Sequence, residues 1–438
     1  MIIKPKGTMD ITLEDAKIWK YVEDVIDSVM EKYNYNYIRT PIFESTELFH
    51  RGIGNTTDIV SKETYDFLDR GNRKLTLRPE GTAGVVRSYI ENKMYGTCSL
   101  PVKVYYNGTM YRYERPQLGR YRELSQYGVE VLGSSDPMVD AEIISLALNI
   151  NKMLGLKGNK AHINSLGDQE SRDHYREALK KYFEPHLDDL CEDCKARFDK
   201  NPLRILDCKV DHDKEYFKKA PSILDYLNEE SKKHFDKVCE YLDLLEVDYV
   251  IDDRIVRGLD YYNHTVFEIN ADIPSFGSAN TLGGGGRYDT LVSQLGGPDT
   301  PCVGYAVGLD RLVMALKEEK IALPIKKDVD IFILYVNEDE KKNAIYLANE
   351  LRMAGFVVET EYTNRSLKGQ FKRADSFDSK YLILLNSEEL KDGLITIKNN
   401  KTKQSDQVLL EYIIYYFEEH IGITDNDGEV ETDYEEDK

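Results

Sequence analysis

Residues 104–133 read VYYNGTMYRYERPQLGRYRELSQYGVEVLG. This stretch predicts two antiparallel strands joined by a loop at Arg115–Gly119, because Tyr, Val and Leu recur through it while Pro116 and Gly119 interrupt it. Side chains alternate between the two faces of a strand. One face would be hydrophobic, with Tyr111, Tyr113, Tyr121, Tyr127, Val129 and Val131. The other face would carry Met110, Arg112, Glu114, Arg120, Arg122, Leu124, Gln126, Gly128 and Glu130.

The charged face of this hairpin has two interpretations. It could be the solvated outer face of an antiparallel sheet, which is a common arrangement. Its composition favours another use, because it combines three arginines with two carboxylates and a glutamine, and has no lysine and no threonine. The guanidinium fork matches the oxygens of phosphate groups. The face is therefore suited to an anion such as a polyphosphate.

Length and composition limit the class of protein. The chain has 438 residues, 41% hydrophobic and 31% charged, which favours two or three globular domains. The absence of a long apolar run, an unremarkable N-terminus and six cysteines predict a reduced cytoplasmic protein outside the membrane. The net charge is −20, and residues 424–438 supply −7 of it with eight acids and one lysine. Any nucleic-acid binding would therefore depend on local basic patches.

The first hundred residues supply two predicted helices. The apolar periodicity predicts a helix over Thr12–Tyr33, followed by a short strand that ends at Pro41. Further on, the sequence LRPEGTA precedes a predicted helix over Ala83–Asn92, with Thr82 as its cap. Glu80 lies just before this helix. Its carboxylate could cap the helix or receive the ammonium group of a ligand.

From about residue 170 to 252 the pattern is helical, polar and rich in Lys and Glu, which predicts an inserted helical module. Four residues with the spacing C-x2-C-x13-C-x3-H could ligate zinc, namely Cys191, Cys194, Cys208 and His212. Cys208 can equally be a small buried hydrophobic residue, and only the spacing supports a metal. We therefore predict no metal site.

Two later stretches place glycines beside arginines. In RGLDYYNHTVFEI, residues 257–269, Gly258 follows Arg257 and a strand is predicted over His264–Ile269. In LGGGGRYDTLV, residues 282–292, four glycines permit a tight bend or a close approach of the backbone to a ligand. Neither the dinucleotide fingerprint nor the P-loop spacing is present.

The sequence VGYAVGLDRLVMAL, residues 303–316, predicts a strand that is broken at Gly308 and continues into a helix. Arg311 would lie in the first turn of that helix. Cations are disfavoured at helix N-termini, so Arg311 favours a bound anion there. A partner carboxylate such as Asp310 is the alternative.

A domain boundary is predicted at Pro324–Asp328, because strands and helices alternate after it. The alternation predicts a small α/β domain with a mostly parallel sheet and a final helix over Val408–Glu419. The clearest basic patch of this acidic chain lies in this domain and consists of Arg365, Lys368, Lys372 and Arg373. The tail after Gly422 is predicted to be disordered.

Read in order, the helix–strand–Pro start, the ERPQLGRYR hairpin and the GLDR strand–helix resemble the three signature motifs of class II aminoacyl-tRNA synthetases. The stretches LRPEGTA, RGLDYYNHTVFE and GGGGRYD narrow the resemblance to the histidyl-tRNA synthetase family, and RGLDYY is the most specific. It implies an α+β catalytic domain on a mostly antiparallel sheet at 1–325, with a helical insertion at about 170–252. It also implies an α/β anticodon-binding domain at 328–421 and an acidic disordered tail at 422–438.

The resemblance implies that ATP, with Mg²⁺, activates L-histidine to histidyl-adenylate, and that histidine is then transferred to the 3′ end of tRNA(His). It also implies a homodimer, built around the Pro41 segment. Arg112 would bind the α-phosphate, Arg257 would lie beside it and the carboxylate, and Glu130 and Tyr262 would read the imidazole. ATP would be bound by Arg112, Glu114, Arg120 and Arg311. Histidine would be bound by Glu80, Thr82, Gln126, Glu130, Arg257, Tyr262 and Tyr288. The tRNA would be bound by Gln117, Arg365, Lys368, Lys372 and Arg373.

Two residues depart from the family pattern: Leu124 stands where an aromatic residue usually stacks on adenine, and Ser125 stands where His is common. One alternative function is the regulatory subunit of ATP phosphoribosyltransferase, a non-catalytic relative that lacks the C-terminal domain. The predicted C-terminal domain argues against it. A class II synthetase for threonine, proline or glycine is another alternative, and Glu130 together with RGLDYY argues against that one.

Overall fold

The computed structural model describes residues 1–54, 57, 59–117, 119–206, 208, 210–211, 213–271, 273, 280–325 and 329–422. The chain divides into two compact units, Met1–Leu323 and Pro324–Lys438. The predicted disordered tail at 422–438 lies outside the described residues except for Gly422. In the described part of the chain, no helix is both long enough and apolar enough to cross a membrane.

The described part of the first unit contains eleven strands and eleven α-helices, besides short 3₁₀ and π turns. The strands are β1 Asn36–Tyr37, β2 Phe43–Ser45, β3 Tyr65–Leu68, β4 Lys74–Leu77, β5 Val102–Tyr111, β6 Glu123–Leu132, β7 Lys160–Ser165, β8 Tyr249–Ile251, β9 Asn263–Asn270, β10 Thr281–Arg287 and β11 Cys302–Gly308. The helices are α1 Leu13–Lys32, α2 Thr46–Ile53, α3 Thr82–Glu91, α4 Met94–Thr97, α5 Pro137–Met153, α6 Gln169–Phe183, α7 Glu192–Lys200, α8 Glu215–Lys218, α9 Glu229–Leu244, α10 Leu291–Gln294 and α11 Leu309–Glu318.

The main sheet has eight described strands in the order β1-β5-β6-β11-β10-β9-β7-β8. The five inner pairings, from β5–β6 to β9–β7, are antiparallel. The two edge pairings, β1–β5 and β7–β8, are parallel. The predicted mostly antiparallel sheet is therefore confirmed. The strands β2, β4 and β3 form a separate small sheet.

The hairpin of β5 and β6 is paired from Val102 opposite Leu132 to Tyr111 opposite Glu123. The connection is therefore residues 112–122, and the predicted shorter loop at Arg115–Gly119 is wrong. The N–H of Arg112 still donates to the carbonyl of Arg122 at 2.9 Å, but the regular pairing ends there because the N–H of Arg122 donates to the carbonyl of Gly7 at 2.8 Å and not back to Arg112. The predicted hydrophobic face ends with it, since Tyr113 is 54% exposed.

Four helices cover one face of the main sheet. Apolar side chains of α1, α5, α9 and α11 pack on Tyr127, Val129 and Val131 of β6 to form the largest core of the unit. Full burial of a Val or Leu side chain stabilises the fold by roughly 1.5–3 kcal/mol. The predicted amphipathic helix α1 is confirmed, although Thr12 makes no side-chain capping bond. The opposite face of the sheet stays open at its centre, where the candidate site lies.

The helical insertion has a core of its own. Residues of α6, α7, α8 and the intervening 3₁₀ turns pack together, among them Tyr175, Phe183, Leu203 and Phe217. In contrast, α9 packs into the core of the main sheet, and β8 after it pairs with β7. The segment with a separate core therefore ends before α9.

The second unit contains β12 Ile331–Tyr335, α12 Glu338–Met353, β13 Val358–Thr360, α13 Leu367–Ser376, β14 Tyr381–Leu385, α14 Ser387–Lys391, β15 Leu394–Asn399, β16 Ser405–Leu409 and α15 Ile413–Ile421. Its sheet has the order β13-β12-β14-β15-β16. The pairings of β12 with β13 and β14 are parallel, whereas those of β15 with β14 and β16 are antiparallel. The sheet is thus mixed and not mostly parallel. The predicted start of the last helix at Val408 is also wrong, because Val408 pairs with Ile395 as part of a strand.

Candidate active site

A cavity of about 390 Å³ lies on the open face of the main sheet. Its walls come from β6, β10 and β11, from the 112–122 connection, from the start of α3 and from residues 257–262. All residues predicted to bind ATP or histidine line it, namely Glu80, Thr82, Arg112, Glu114, Arg120, Gln126, Glu130, Arg257, Tyr262, Tyr288 and Arg311. Gln117 is not among the lining residues.

Glu80 caps helix α3. One carboxylate oxygen accepts from the backbone N–H of Thr82 at 2.6 Å and the other from that of Ala83 at 2.9 Å. The prediction that Thr82 caps the helix is wrong, since Thr82 is the first helical residue and Gly81 precedes it as the cap residue. Burial raises the pKa of Glu80, although these N–H groups and Arg112 oppose the shift. Because Glu80 accepts from the N–H groups at the helix start, the hydroxyl of Thr82 donates elsewhere, to Glu130.

Glu130 lies at the closed end of the cavity and is 1% exposed. Its Oε1 accepts from the hydroxyl of Thr82 at 2.7 Å and its Oε2 from that of Tyr288 at 2.6 Å. Burial raises the pKa of Glu130 to about 8. A side chain at Gly304 would place its Cβ 1.8 Å from Oε2, so this glycine makes room for the carboxylate.

Gln126 lies on β6 between Glu130 and the 112–122 connection. Its side-chain oxygen is buried and accepts no hydrogen bond from the described residues. A buried amide oxygen without a hydrogen-bond partner destabilises the protein, so a donor such as a ligand ammonium group would suit this position. The cavity here thus offers an acceptor beside the carboxylates of Glu80 and Glu130.

Three basic side chains lie at the wider end of the cavity. The Nε of Arg112 donates to the carbonyl of Pro79 at 2.8 Å. Arg120 lies 3.5 Å from the Glu114 carboxylate, and Arg112 lies 4.0 Å from it. Both arginines belong to the 112–122 connection and not to a strand as predicted, because the ladder ends at Tyr111.

Arg311 completes this basic wall from the first turn of α11. It donates to the carbonyls of Gly119 at 3.1 Å and Thr281 at 2.5 Å. Burial, followed by the like charge of Arg120, lowers the pKa of Arg311. Asp310 is not its hydrogen-bond partner, since its carboxylate accepts from the backbone N–H of Ser125 at 2.8 Å. Two neighbouring guanidinium groups that disfavour each other's charge are suited to a shared anion.

Arg257 approaches from the opposite wall. Its Nη1 donates to Glu268 at 2.5 Å, while its buried Nε has no partner among the described residues. The run of glycines makes this approach possible, because a Cβ on Gly284 would lie 2.9 Å from Nη1 of Arg257. The glycines lie in a strand that is paired on both sides, with register shifts on the β9 side, and what approaches their backbone here is the side chain of Arg257; the predicted approach to a ligand stays a prediction.

Sequence reasoning missed two residues of the site. Glu268 orients Arg257, and the alternation of β9 could have revealed it, since Glu268 shares a face with the buried Val266. Tyr121 lines the cavity beside Leu124, although strand alternation predicts it on the hydrophobic face. That prediction assumes a strand, and alternation does not hold in the 112–122 connection.

The four basic residues proposed for tRNA contact lie in the second unit and differ in their surroundings. Arg365 and Arg373 lie 3.8 and 4.0 Å from the buried carboxylate of Glu361. Lys368 and Lys372 are exposed. The patch has no acid within residues 364–373, but the fold places Glu361 against its two arginines.

The potential metal ligands of the insertion lie close together in the fold. The Sγ atoms of Cys191, Cys194 and Cys208 and a carboxylate oxygen of Asp211 all lie within 4.8 Å of one another. His212, the fourth candidate in the sequence, lies outside the described residues. The zinc hypothesis rested on the spacing alone, which did not identify Asp211, and for that reason no metal site was predicted.

The sequence matches the family described as "Histidyl-tRNA synthetase" over residues 7–312 and that described as "Anticodon binding domain" over residues 330–420. It is 52% identical over 410 residues to the histidine–tRNA ligase of Anoxybacillus flavithermus, covering 94% of this chain and 97% of the relative. It is 50% identical over 417 residues to the histidine–tRNA ligase of Bacillus cytotoxicus, covering 95% and 99%.

Among solved structures, apo histidyl-tRNA synthetase of S. aureus is similar with a TM-score of 0.82 and 44% identity, over 95% of this chain and all of that one. A protein of Bacillus halodurans C, described as an ATP phosphoribosyltransferase regulatory subunit/histidyl-tRNA synthetase, has a TM-score of 0.61 and 23% identity, over 88% and 98% of the two chains. At that identity the second likeness concerns the fold alone.

Proposed function

The chain belongs to the histidyl-tRNA synthetase family, and from this membership we propose how its cavity activates L-histidine with ATP and passes the histidyl group to tRNA(His). The activity is that of a histidine–tRNA ligase, which forms AMP and pyrophosphate. One observation carries the assignment of the site: a buried carboxylate, Glu130, and a wall of arginines line the same cavity of about 390 Å³. A carboxylate suits the imidazole of histidine, and arginines suit the triphosphate of ATP.

The chemical step needs charge stabilisation more than proton transfer. The carboxylate of histidine attacks the α-phosphorus of ATP in line, the P–O bond to the β-phosphate breaks, and pyrophosphate leaves. Two anions must meet, so cationic groups on both sides of the reacting atoms lower the barrier. In our proposal Arg112 holds the α-phosphate from one wall. Arg257, oriented by Glu268 at 2.5 Å, approaches the α-phosphate and the histidine carboxylate from the other.

The narrow end of the cavity would hold histidine. Glu130 would accept from one ring nitrogen, and the hydroxyls of Thr82 and Tyr288 hold its carboxylate in place. Tyr262 would pair with the other ring nitrogen. Gln126, whose side-chain oxygen has no partner among the described residues, would accept from the α-ammonium group together with Glu80. An analogue without these donors and acceptors would leave buried polar atoms unpaired, which strongly disfavours it.

The wide end would hold ATP. Arg120 and Arg311 would bind the β- and γ-phosphates, and Glu114 would contact the adenine end. Leu124 supplies an aliphatic contact where the family usually has an aromatic ring, and we propose that the neighbouring Tyr121 forms the other wall of the adenine site. The described part of the cavity contains no cluster of three carboxylate, His or Cys ligands. Mg²⁺ would therefore be bound mainly by the phosphates of ATP and would keep most of its water ligands.

The remaining parts of the proposal concern the tRNA and the assembly. Gln117, near the tip of the 112–122 connection, would approach the acceptor end. The basic helix α13 of the second unit would contact the anticodon part of the molecule through Lys368 and Lys372. A cytoplasmic homodimer built around the Pro41 segment, with 1–325 as catalytic domain and 328–421 as anticodon-binding domain, completes the proposal.

Exchange of labelled pyrophosphate into ATP tests the proposal when it is measured with each amino acid separately. Histidine should support exchange, whereas threonine, proline and glycine should not. Absence of exchange with every amino acid would favour the regulatory subunit, which the close relatives make the weaker alternative. A Glu130→Ala variant should raise the KM for histidine and keep its fold. Glu123→Ala, on the same strand but outside the cavity, is the matched control and should leave KM unchanged.

A further inference from the structure

The helical insertion brings four potential metal ligands to one point. Cys191 precedes the first residue of α7 and Cys194 lies in its first turn, so the C-x2-C pair shares the start of one helix. Cys208 and Asp211 come from the loop after the 3₁₀ turn Pro202–Ile205. Their four ligand atoms lie within 4.8 Å of one another. The cluster thus joins two segments that are separate in sequence and lies outside the cavity already described.

The distances fit a tetrahedral ion. With a zinc–sulfur bond of about 2.3 Å, two sulfurs of a tetrahedral site are roughly 3.7 Å apart. The Sγ atoms of Cys191 and Cys208 are 3.7 Å apart, and Sγ of Cys208 is 3.7 Å from Oδ2 of Asp211. A modest inward movement of the remaining atoms would complete the tetrahedron.

The surroundings of these four side chains favour a role as metal ligands over a role as ordinary core residues. Cys194 is fully buried and Asp211 is 1% exposed, while Cys191 is partly exposed and leaves a path for an ion. The backbone N–H of Asp211 donates to Sγ of Cys208 at 3.4 Å, and that of Cys191 donates to Oδ2 of Asp211 at 2.9 Å. Lys214 lies 2.8 Å from the other oxygen of Asp211 and offsets part of the negative charge of such a site. Hydrogen bonds of this kind orient the ligands of a metal site.

We propose that Cys191, Cys194, Cys208 and Asp211 form a structural zinc site. Three thiolates select a soft or borderline ion, and a closed set of four ligands is typical of a structural and not a catalytic site. The ion would fasten the start of α7 to the loop that carries Cys208 and would stabilise the small core of the insertion. In the sequence, the four proposed ligands have the spacing C-x2-C-x13-C-x2-D.

The full-length, untagged chain provides the first test. After removal of metals by a chelator, in the presence of a phosphine reductant, it should bind one equivalent of Zn²⁺. Co²⁺ in its place should give thiolate-to-cobalt charge transfer and the intense visible bands of a tetrahedral site. Zinc should also protect the partly exposed Cys191 from alkylation, as mapped by mass spectrometry. The exposed Cys98 should be alkylated equally with and without zinc.

Variants provide the second test. Cys194→Ser should weaken zinc binding by more than about 100-fold, beyond the 10–100-fold typical of losing a group that only orients a ligand. Asp211→Asn should weaken binding and shift the visible cobalt bands, because an oxygen ligand is changed. Cys98→Ser should bind zinc as the parent does.

Three results would overturn the zinc site: less than about a tenth of an equivalent of zinc, only the weak spectrum of octahedral cobalt, or alkylation of Cys191 that is unaffected by zinc. If Cys194→Ser does not fold, the cobalt spectrum and the alkylation pattern of the parent chain still decide the question. Unchanged cobalt bands in Asp211→Asn would remove Asp211 from the proposed ligands.

Discussion

Two buried carboxylates of the first unit, Asp140 and Glu130, have opposite kinds of hydrogen-bond partner. Asp140 is 0% exposed and receives the guanidinium of Arg287, with Nε at 2.9 Å and Nη2 at 2.6 Å from Oδ2. Although burial opposes it, Arg287 lowers the pKa of Asp140. Glu130 is as buried but is bonded by two neutral hydroxyls, and burial raises its pKa to about 8. One carboxylate is thus neutralised within the chain, and the other is left for a cationic or proton-donating ligand.

The arginines of the two regions repeat the contrast. Arg287 is 1% exposed and also donates to the carbonyls of Ser134 and Asp136, so its donors are satisfied internally. In the cavity, the side chain of Arg112 donates one hydrogen bond among the described residues, to Pro79, and lies 4.0 Å from the Glu114 carboxylate, so a ligand can still accept from it. Charged groups that are fully paired within the protein stabilise the fold. Charged groups that line a cavity and are incompletely paired indicate a ligand of opposite sign.

Breaking the internal pair should have the largest effect. Asp140→Leu would leave the buried Arg287 with Asp289, at 3.4 Å, in place of its close contact with Asp140, and we expect unfolding to become easier by about 3–5 kcal/mol. Urea titration of the purified chain measures this change. The double variant Asp140→Leu, Arg287→Met should recover most of the loss, since an apolar pair of similar volume replaces the ions. Equal stability of the single variant and the parent would contradict the structural role of the pair.

Removing a cavity arginine should affect the reaction more than the fold. Arg112→Ala should lower kcat of pyrophosphate exchange by roughly 10²–10³-fold, because a group that stabilises developing charge is lost. Its unfolding free energy should fall by no more than about 1 kcal/mol, for the bond to Pro79. Arg73→Ala is the matched control, since Arg73 pairs with Asp69 at 2.7 Å in the same unit but outside the cavity. A normal kcat in Arg112→Ala would remove this residue from the reaction.

The raised pKa of Glu130 predicts how histidine affinity depends on pH. At neutral pH the empty cavity holds a protonated Glu130, and free histidine above about pH 6.5 has a neutral imidazole. In the proposed complex the proton of Glu130 passes to the imidazole, whose ring nitrogen then donates to the carboxylate, so binding neither takes up nor releases a proton. Above about pH 8 Glu130 loses its proton and one must be taken up on binding. The KM for histidine should therefore be lowest between about pH 6.5 and 8 and rise about tenfold per pH unit beyond.

A variant isolates the contribution of Glu130 to this profile. Glu130→Gln is neutral at every pH, so the rise of KM above about pH 8 that is due to Glu130 should disappear, while the rise below about pH 6.5 should remain. The α-amino group of histidine titrates equally in both proteins, and the ratio of their KM values removes its effect. An identical profile in parent and variant would show that Glu130 does not titrate in this range.

The sequence predicted those parts of the site that depend on neighbouring residues. Strand alternation in β6 placed Gln126 and Glu130 on one face, and the glycines of β10 predicted a close approach. Contacts between distant residues could not be predicted. Arg287 and Tyr288 are adjacent in GGGGRYD, yet Arg287 binds Asp140, 147 residues away, while Tyr288 binds Glu130. Only the fold separates the structural residue of this pair from the one that lines the cavity.

Local alternation also failed where the chain leaves a regular strand. The backbone N–H of Arg122 donates to Gly7 and not to Arg112, and no pattern within residues 112–122 reveals that partner. Alternation consequently predicts the wrong face for Tyr121. In the insertion, spacing suggested His212 as a fourth ligand, and that residue lies outside the described residues, whereas packing brings Asp211 to the three cysteines. The failure at the hairpin has a physical cause, since the decisive contact with Gly7 comes from a segment more than a hundred residues away.

The smallest effect concerns the basic helix α13, where the contrast between paired and available charges recurs. Changing Arg365 or Arg373 would leave the fully buried Glu361 carboxylate with less compensation, so a loss of tRNA binding would be mixed with a loss of stability. Lys368 and Lys372 have no ion-pair partner among the described residues and give the cleaner test. Lys368→Gln with Lys372→Gln should raise the Kd for tRNA severalfold and reduce its salt slope by roughly 0.7–0.9 for each phosphate that is no longer neutralised.

Histidine-dependent exchange should be unchanged in this double variant, because both lysines lie outside the first unit. The matched control is Lys341→Gln with Lys342→Gln, whose lysines pair with Glu338 and Asp339 at 3.3 and 3.1 Å on the neighbouring helix α12. Binding measured over a range of salt concentrations distinguishes the two pairs. If both double variants lower the slope equally, general charge and not direct binding by Lys368 and Lys372 governs tRNA affinity. If neither does, the tRNA contacts of the second unit lie away from α13.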